Sequence, residues 1–288
     1  MKNYTIFTDS ACDIKPELLR EWGVELIELS FRFEGDDREY SNSDMDINEF
    51  YSKMRSGGIA KTSAVNPEAF EKAFEAVLEQ GNDVLYLGFS SALSTTFNSS
   101  RIAADELVER YPDRKIISVD TLAASAGQGL LVRMAVDKMN EGASLEEVAE
   151  FVEDNKLRMC HWFTVNDLVY LKRGGRVSPT VALVGKALGI KPVIHVSNEG
   201  KLISVSKARG RKAAVSALAD KYCELAVEKS DGTVYISHAD CLDDAKELSS
   251  IIRDRTGAEV DIITDVGTVI GAHAGPGTLA LFFVGRER

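Results

Sequence analysis

Glycine-rich and hydroxyl-rich segments are the parts of this chain whose residue types could do chemistry. Residues 271–277 read Gly-Ala-His-Ala-Gly-Pro-Gly, so three glycines and a proline surround His273. This composition predicts a tight loop that brings backbone N–H groups and an imidazole close to a small group. A second glycine loop lies at residues 174–176, after an apolar run. Hydroxyl clusters at residues 62–63 and 90–96 follow other strand-like runs. Together they indicate a site that is rich in hydrogen-bond donors and poor in charged catalysts.

Each of these groups also has an ordinary structural explanation. The glycines could simply turn the chain, and Ser or Thr before a helix is usually a cap. A cap position is also where an anion binds, because several backbone N–H groups there lack partners within the helix. The position of His273 inside a Gly-Pro-Gly turn favours a functional role for it. His161 and His195 are interpreted as strand residues, and His238 as a strand end or a supporting residue.

Composition and charge exclude some classes of protein. The chain has 288 residues, which favours two domains, with one large α/β domain as the alternative. A formal net charge of −11 argues against a nucleic-acid binder but allows an anionic small ligand. The four cysteines are scattered without Cys-x-x-Cys spacing, so we expect reduced thiols and no metal site. Neither a signal peptide nor a membrane-spanning run is visible, so we expect a soluble, cytoplasmic protein.

Strand-like and helical patterns alternate up to about residue 157. The predicted strands are 4–8, 24–29, 83–89 and 115–119, and the predicted helices are 16–22, 66–80, 94–111, 123–139 and one that begins at the capping box of Ser144 and Glu147. Residues 83–89 are nearly all apolar, as in a strand of a parallel sheet that is covered on both faces. The pattern predicts an α/β fold with an N-terminal doubly wound parallel-sheet domain over residues 1–157. Ligands of such folds collect at the carboxyl ends of the strands.

After residue 157 the pattern becomes more mixed. The predicted strands are 161–165, 191–196, 202–206, 233–237 and 259–264, with a hairpin turn at 198–200, helices at 209–226 and 242–255, and an apolar strand or buried helix at 278–284. We interpret residues 158–288 as a second, mixed α+β domain. Because no linker rich in Pro, Gly or Ser separates the two parts, we expect them to pack closely.

Taken in order, the motifs of this chain resemble those of the DegV family, the fatty-acid-binding proteins that include the binding subunit of bacterial fatty acid kinase. The resemblance covers almost the whole chain and rests on Thr8-Asp9-Ser10 with Asp13-Ile14, Thr62-Ser63 with Pro67, Ser90-Ser91-Ala92-Leu93-Ser94, Val119-Asp120 with Ala124-Ser125, Gly127-Gln128-Gly129, Asp167-Leu168 to Gly174-Gly175-Arg176, Lys191-Pro192, and His273 with Gly275-Pro276-Gly277. It implies an N-terminal α/β domain, a second domain that closes over it, and a long-chain fatty acid between them.

The resemblance also implies which residues hold the ligand. Hydroxyls of the Thr-Ser and Leu-Ser motifs and the histidine of the last motif hold the carboxylate, and neighbouring positions complete the set. The candidate ligand-binding residues are Thr62, Ser63, Ser94, Thr95, His273 and Gly275. The usual Leu-Ser-Gly-Thr has Thr95 in place of glycine here, and residues 64–65 are Ala-Val instead of Gln-Pro. Both departures bear on chain-length preference and on the head-group geometry.

A separate partner is implied as well. In the family, an ATP-binding kinase subunit docks on the loaded carrier and phosphorylates the carboxylate. No Gly-x-x-x-x-Gly-Lys-Ser/Thr loop occurs in the chain, so we expect a lipid-binding carrier that is not itself an enzyme and needs no cofactor. Lys172, Arg173 and Arg176 form a local basic cluster and are the candidate docking residues. Transient contact with a membrane surface is compatible with this role.

Two alternatives from other classes stay open. A serine-type hydrolase could use Ser94 as nucleophile, His273 as base and Asp9 or Asp240 as the orienting acid, although no Gly-x-Ser-x-Gly elbow is present. A small-carbonyl binding or kinase domain could use His273 as a nucleophile toward a ketone, as in the distantly similar dihydroxyacetone kinases.

Overall fold

The computed structural model describes residues 3–177, 189–230 and 232–288. The strands are Tyr4–Asp9 (β1), Val24–Ile27 (β2), Ser30–Phe33 (β3), Tyr40–Ser41 (β4), Ala60–Ser63 (β5), Asp83–Gly88 (β6), Ile116–Asp120 (β7), Met159–Thr164 (β8), Ile190–Val196 (β9), Leu202–Arg209 (β10), Val234–His238 (β11), Ile262–Asp265 (β12) and Leu279–Val284 (β13). The α-helices are Pro16–Glu21 (α1), Ile47–Arg55 (α2), Pro67–Leu78 (α3), Thr96–Arg110 (α4), Ala126–Asn140 (α5), Leu145–Asn155 (α6), Val169–Arg173 (α7), Arg211–Leu225 (α8), Leu242–Thr256 (α9) and Thr268–Ala274 (α10). Within these ranges no helix is both long and apolar enough to cross a membrane.

The first sheet is parallel and has the strand order β2-β1-β6-β7. Successive side chains of a strand point to opposite faces, and both faces of this sheet are covered. Ile6 and Leu85 pack with α5 and α6, whereas Phe7 and Tyr86 pack with the phenylalanines of α3. This explains the nearly continuous apolar run of residues 83–89 and confirms the doubly wound α/β prediction.

The second sheet is mixed and has the order β10-β9-β8-β13-β11-β12. Its pairs are antiparallel except β11 with β12. One face packs on α8 and α9, and the other face, which carries Phe163, Ala280 and Phe282, shares a core with α5. Helix α5 therefore lies between the two sheets. The predicted α+β character of this part is confirmed, while the division of the chain at residue 157 stays a prediction.

A third, three-stranded antiparallel sheet has the order β4-β3-β5 and was not predicted. Its strands are short, and β5 reads Ala-Lys-Thr-Ser, which has no apolar alternation to identify it. The sheet is held by an aromatic cluster in which Phe31 packs edge-on against Phe50 of α2. As a result, Thr62 and Ser63 lie within strand β5 and not in a cap before α3.

The loop predicted for residues 271–277 is partly wrong. Gly271 and His273 belong to helix α10, and the turn begins only at Gly275, whose φ is +81°. Gly271 is needed for close packing, because a Cβ there would lie 2.5 Å from the Tyr51 hydroxyl oxygen. The glycines of this segment therefore have two different roles. Gly271 lets the helix pack tightly, and Gly275 forms the turn that ends it.

Several local predictions are confirmed by hydrogen bonds. The Glu147 N–H donates to Ser144 Oγ at 3.3 Å, and the Ser144 N–H donates to Glu147 Oε2 at 2.8 Å, which is the capping box at the start of α6. The hairpin turn between β9 and β10 is closed by the Gly200 N–H, which donates to the Ser197 carbonyl at 2.9 Å. The apolar segment near the end of the chain is strand β13 rather than a helix.

Candidate functional site

A cavity of about 320 Å³ lies beside the loops that follow the parallel strands. Its wall also receives residues from the inner face of the mixed sheet and from α10. Most of the wall is apolar and includes Leu29, Phe89, Phe163, Leu202, Val269 and Phe282. Because the carboxyl ends of the parallel strands open here, the cavity lies where ligands of doubly wound folds bind.

The structure brings five of the six candidate ligand-binding residues to the wall of this cavity. They come from β5, from the loop before α4 and from α10, and they are Thr62, Ser63, Ser94, Thr95 and His273. Gly275 is not among the lining residues. It packs instead on Tyr170, since a Cβ at this glycine would lie 2.2 Å from the ring.

His273 and Thr62 form the central polar pair of the wall. Thr62 Oγ1 lies 2.8 Å from His273 Nε2, although the two residues are 211 positions apart. Burial, assisted by the positive charge of Arg176, lowers the pKa of His273 to about 4, so the ring is neutral at pH 7. Nδ1 is buried without a hydrogen-bond partner among the described residues. We assign the proton to Nε2, because a buried N–H without an acceptor at Nδ1 is costly.

This tautomer determines what Thr62 can do. If His273 Nε2–H donates to Thr62 Oγ1, the hydroxyl proton of Thr62 is free to donate to a ligand in the cavity. A threonine hydroxyl that accepts a hydrogen bond from an imidazole becomes a stronger hydrogen-bond donor, which favours binding of an anion. The pair therefore suits a carboxylate oxygen and does not need a protonated histidine.

Ser94 is arranged in the same way. Its Oγ accepts from the Thr96 N–H at 3.2 Å and lies 2.9 Å from Thr96 Oγ1. The Val65 N–H in turn donates to Thr96 Oγ1 at 3.3 Å, which ties this loop to the segment after β5. When Thr96 donates its hydroxyl proton to Ser94, the Ser94 proton is left for a ligand.

The other two hydroxyls at this end are less enclosed. Ser63 and Thr95 are both exposed. Hydrogen bonds from Ser30 and from Ser63 lower the pKa of the Glu39 carboxyl group, so the Ser63 hydroxyl already has a partner. Thr62 and Ser94 are therefore the hydroxyls best placed to donate to an anion.

The predicted basic cluster is divided by the structure. Lys172 and Arg173 are exposed at the end of α7 and do not line the cavity, whereas Arg176 does line it. Arg176 Nε donates to the Leu93 carbonyl at 3.1 Å, and Nη1 donates to the Gly174 carbonyl at 2.5 Å. Arg176 thus brings a positive charge to the polar end of the cavity.

The glycine turn beside this cluster packs on the imidazole. A Cβ at Gly174 would lie only 2.1 Å from His273 Nδ1, so glycine is required for the close contact between α7 and α10. The turn is not a free surface loop. Instead, its first glycine lies directly against the candidate site.

Comparison with known proteins decides the family. The model of the DegV family, described as uncharacterised proteins, matches residues 3–286. The chain belongs to the DegV family. A DegV domain-containing protein of Clostridium perfringens is 43% identical over 288 residues, which cover 99% of this chain and 98% of the relative. This confirms the resemblance that the motifs indicated.

Solved structures of DegV proteins share the fold. A DegV lipid-binding protein from Thermotoga maritima has a TM-score of 0.87 and 33% identity and covers 100% of both chains. A fatty-acid-binding DegV family protein from Thermus thermophilus has a TM-score of 0.88 and 31% identity, with 98% of this chain and 99% of that chain covered. The whole described architecture is therefore a DegV architecture.

Four polar residues of the cavity wall in this DegV protein were not predicted as site residues. They are Ser125 at the start of α5, His161 in β8, Ser237 in β11 and Thr278 directly before β13. His161 was interpreted only as a strand residue. Its Nδ1 lies 2.9 Å from the Met159 carbonyl, and the Ala124 N–H donates to its Nε2 at 3.4 Å. Burial, with a further contribution from Arg288, lowers the pKa of His161, so this imidazole is also neutral.

The contacts of this DegV protein give no support to a serine hydrolase. His273 Nε2 pairs with Thr62, and Ser94 pairs with Thr96, so the described residues contain no hydrogen bond between Ser94 and His273. Asp9 accepts from the Tyr86 hydroxyl at 2.6 Å and from the Phe89 N–H at 2.8 Å. Asp240 pairs with Arg55 at 2.7 Å. Neither carboxylate orients the imidazole, as a catalytic triad requires.

Proposed function

We propose that this protein binds a long-chain fatty acid, with the carboxylate at Thr62, Ser94 and His273 and the acyl chain along the apolar part of the cavity. The observation that carries the proposal is a largely apolar cavity with free hydroxyl donors at one end. The lipid-binding and fatty-acid-binding relatives from Thermotoga maritima and Thermus thermophilus support it.

The mostly apolar wall of the cavity suits the binding energetics of such a ligand. A chain of about fourteen methylenes gains roughly 11 kcal/mol at ~0.8 kcal/mol each, before association and ordering costs are subtracted. Hydrogen bonds to a charged group add about 1.5 to 3 kcal/mol each. The acyl chain therefore supplies most of the affinity, and the hydroxyls with Arg176 select a carboxylate over a neutral head group.

Native mass spectrometry of the purified protein tests this proposal. We expect a co-purified C14 to C18 acid, and we expect added oleate to load protein from which lipid has been extracted. A protein that carries no acid and takes up none would contradict the proposal. If such an empty protein cleaved generic esters, the hydrolase would be the better explanation.

We further propose that the bound acid is presented to a separate ATP-binding kinase subunit, which forms the acyl phosphate. The resemblance to the fatty acid kinase binding subunit and the lack of a phosphate-binding loop of this chain's own support this step. Lys172 and Arg173 are exposed on α7, and α7 is followed directly by the glycine that contacts His273. The docking surface would thus adjoin the carboxylate.

A charge reversal tests the docking surface. Because Arg176 lines the cavity, the test uses Lys172→Glu with Arg173→Glu, which we expect to leave oleate affinity unchanged and to slow acyl-phosphate formation by the cognate kinase subunit. The loss should be largest at low salt, where surface charges are least screened. The control is Lys72→Glu with Lys246→Glu, which changes the net charge equally at two other exposed positions. Equal turnover by the two double variants would remove α7 from the docking surface.

The proposed location is the cytoplasm. All four cysteines are free thiols, as is usual in a reducing compartment. Transient contact with a membrane surface is part of the proposal, because a long-chain fatty acid partitions into lipid. Cell fractionation that places the protein outside the cell would contradict this location.

A further inference from the structure

Strand β13 of the mixed sheet runs along the cavity, away from the residues proposed for the head group. It begins directly after the turn that ends α10, and Thr278, just before it, donates its hydroxyl proton to the Ala274 carbonyl at 2.9 Å. Alternate residues then face the cavity, since Thr278, Ala280 and Phe282 all line it. Val284, the next residue on this face, does not line it. At ~3.3 Å per residue, the strand carries the wall about 13 Å beyond Thr278.

The wall ends in one row of side chains that runs across four strands. His161 of β8 pairs with Phe282 of β13, and β9 and β10 continue the row in register. The members of this row, all of which line the cavity, are Leu202, Val196, His161 and Phe282. Met159, which pairs with Val284 in the following row, is buried and does not line the cavity. Among the described residues, the sheet side of the cavity therefore ends at these four side chains, which we call the end row.

His161 connects the end row to the opposite wall of the cavity. Ala124 lies in the loop before α5 and lines the cavity, and its N–H donates to His161 Nε2 at 3.4 Å. Because Nε2 accepts this hydrogen bond, the ring proton lies on Nδ1, which donates to the Met159 carbonyl at 2.9 Å. Both ring nitrogens are thus occupied. His161 offers no free donor to a ligand and acts at this end of the cavity through its shape.

The rings of the end row have no room to move toward α5. A Cβ at Gly127, in the first turn of this helix, would lie 2.3 Å from His161 Nε2 and 2.7 Å from Phe282 Cδ1. The two rings also pack edge-on against each other, with centroids 5.5 Å apart and an interplanar angle of 89°. Forcing additional atoms into such close packing is unfavourable. A ligand that reaches the end row therefore meets a firm stop.

We propose that the end row sets the longest fatty acid that this protein accepts, with His161 and Phe282 as the residues that stop the methyl end of the acyl chain. The inference rests on the proposed fatty-acid binding and names chain length as the property that the site selects. With the carboxylate at Thr62 and Ser94, each added methylene increases the affinity about fourfold until the methyl end meets the end row. A longer chain must displace a ring, so the affinity passes through a maximum as the chain lengthens.

Competition binding with unbranched saturated acids from C10 to C22, in single-carbon steps, tests the proposal on protein from which lipid has been extracted. For wild type we expect a maximum, followed by a fall of at least tenfold within four carbons. His161→Ala and Phe282→Leu each remove volume at the end row, so each should move the maximum by at least one carbon toward longer acids. Each should also bind the first acid beyond the wild-type maximum at least threefold more tightly than wild type does.

The same two substitutions at neighbouring positions are the matched controls. Phe283→Leu changes the next residue of β13, which points to the other face of the sheet and packs edge-on with Tyr222. His195→Ala changes a histidine of β9 whose ring stacks on Trp162. Neither residue lines the cavity, so we expect both controls to keep the wild-type maximum. If one variant of the end row failed to fold, the other would still decide the question.

The possible results separate this inference from the proposed function. Affinity that rises steadily to C22 in wild type would overturn the end stop and leave fatty-acid binding intact. An unchanged maximum in folded His161→Ala and Phe282→Leu would also overturn it, as would an equal movement of the maximum in the controls. If folded wild-type protein bound none of the acids, the proposed function itself would fail.

Discussion

Replacing Thr62 with valine isolates the hydrogen bond on which the proposed head-group site depends. Valine keeps the shape of threonine and suits a strand, so β5 should stay paired with β3. The change removes the hydroxyl that lies 2.8 Å from His273 Nε2 and whose proton is free for the ligand. His273, already without a partner at Nδ1 among the described residues, would then lack one at Nε2 as well.

The expected loss follows from the charge of the ligand. A hydrogen bond to a charged group contributes about 1.5 to 3 kcal/mol, and each 1.4 kcal/mol corresponds to a factor of ten in affinity. Thr62→Val should therefore weaken palmitate about ten- to a hundredfold. Hexadecanol has the same chain length without the carboxylate, so its affinity should fall by less than about threefold.

Titration calorimetry with both ligands measures this difference directly. The control is Thr5→Val, the same substitution in strand β1 at a residue that does not line the cavity. Both variants should unfold at temperatures close to that of wild type. Unchanged palmitate affinity in Thr62→Val would refute the head-group assignment, and an equal loss for hexadecanol would show that Thr62 acts through packing alone.

Three further predictions concern the imidazole, a buried carboxyl group and a buried guanidinium. His273→Ala should weaken palmitate about three- to tenfold in the same titration, because the Thr62 hydroxyl loses the imidazole N–H that orients it, with the fold retained by circular dichroism. Asp13→Asn should flatten the pH dependence of the free energy of unfolding, measured with urea. In the native protein Asp13 keeps its proton up to about pH 7, because its pKa is raised to about 7, whereas in the unfolded chain the group ionises near 3.8. The wild-type free energy of unfolding should therefore fall by roughly 4 kcal/mol as the pH rises from 4 to 7. A variant with the same slope would contradict this assignment. Arg288→Ala should lower the free energy of unfolding by about 2 to 4 kcal/mol, because the guanidinium donates to four partly buried backbone carbonyls, among them that of Leu122 at 2.7 Å. A loss below about 1 kcal/mol would show that water replaces these contacts.

The parallel sheet could be predicted from the sequence because its signals are local. The apolar run at residues 83–89 reflects burial on both faces, and the caps at Asn66 and Ser144 mark helix starts that the structure contains. The short sheet that holds Thr62 could not be predicted. Its strands have two to four residues, and the sheet is held by packing on the aromatic side chains of α2, which no pattern within the strands reveals.

The glycine-rich segment shows why composition alone misplaces a helix. Gly271 lies inside α10 because Tyr51 leaves no room for a side chain, and this partner lies on α2 in another part of the sequence. Only Gly275 and Gly277 have the positive φ, +81° each, that the predicted turn required. A glycine needed for packing and a glycine needed for a turn give the same sequence signal.

The candidate site could be predicted as a set of residues but not as a geometry. The motifs identified Thr62, Ser94 and His273, yet nothing local indicated that Thr62 pairs with the imidazole while Ser94 pairs with Thr96. Ser237 gave no signal at all, because a serine within an apolar strand is indistinguishable in sequence from an ordinary buried hydroxyl. Its position on the cavity wall depends on the register of β11 with β13.

The dissociation constant of palmitate or oleate for lipid-free protein tests the central claim most directly. We predict one site per chain that saturates at micromolar or lower concentration, with octanoate bound far more weakly because it buries about half as many methylenes. Failure to bind either acid at micromolar concentration, or equal affinity for octanoate and palmitate, would contradict fatty-acid binding in this cavity.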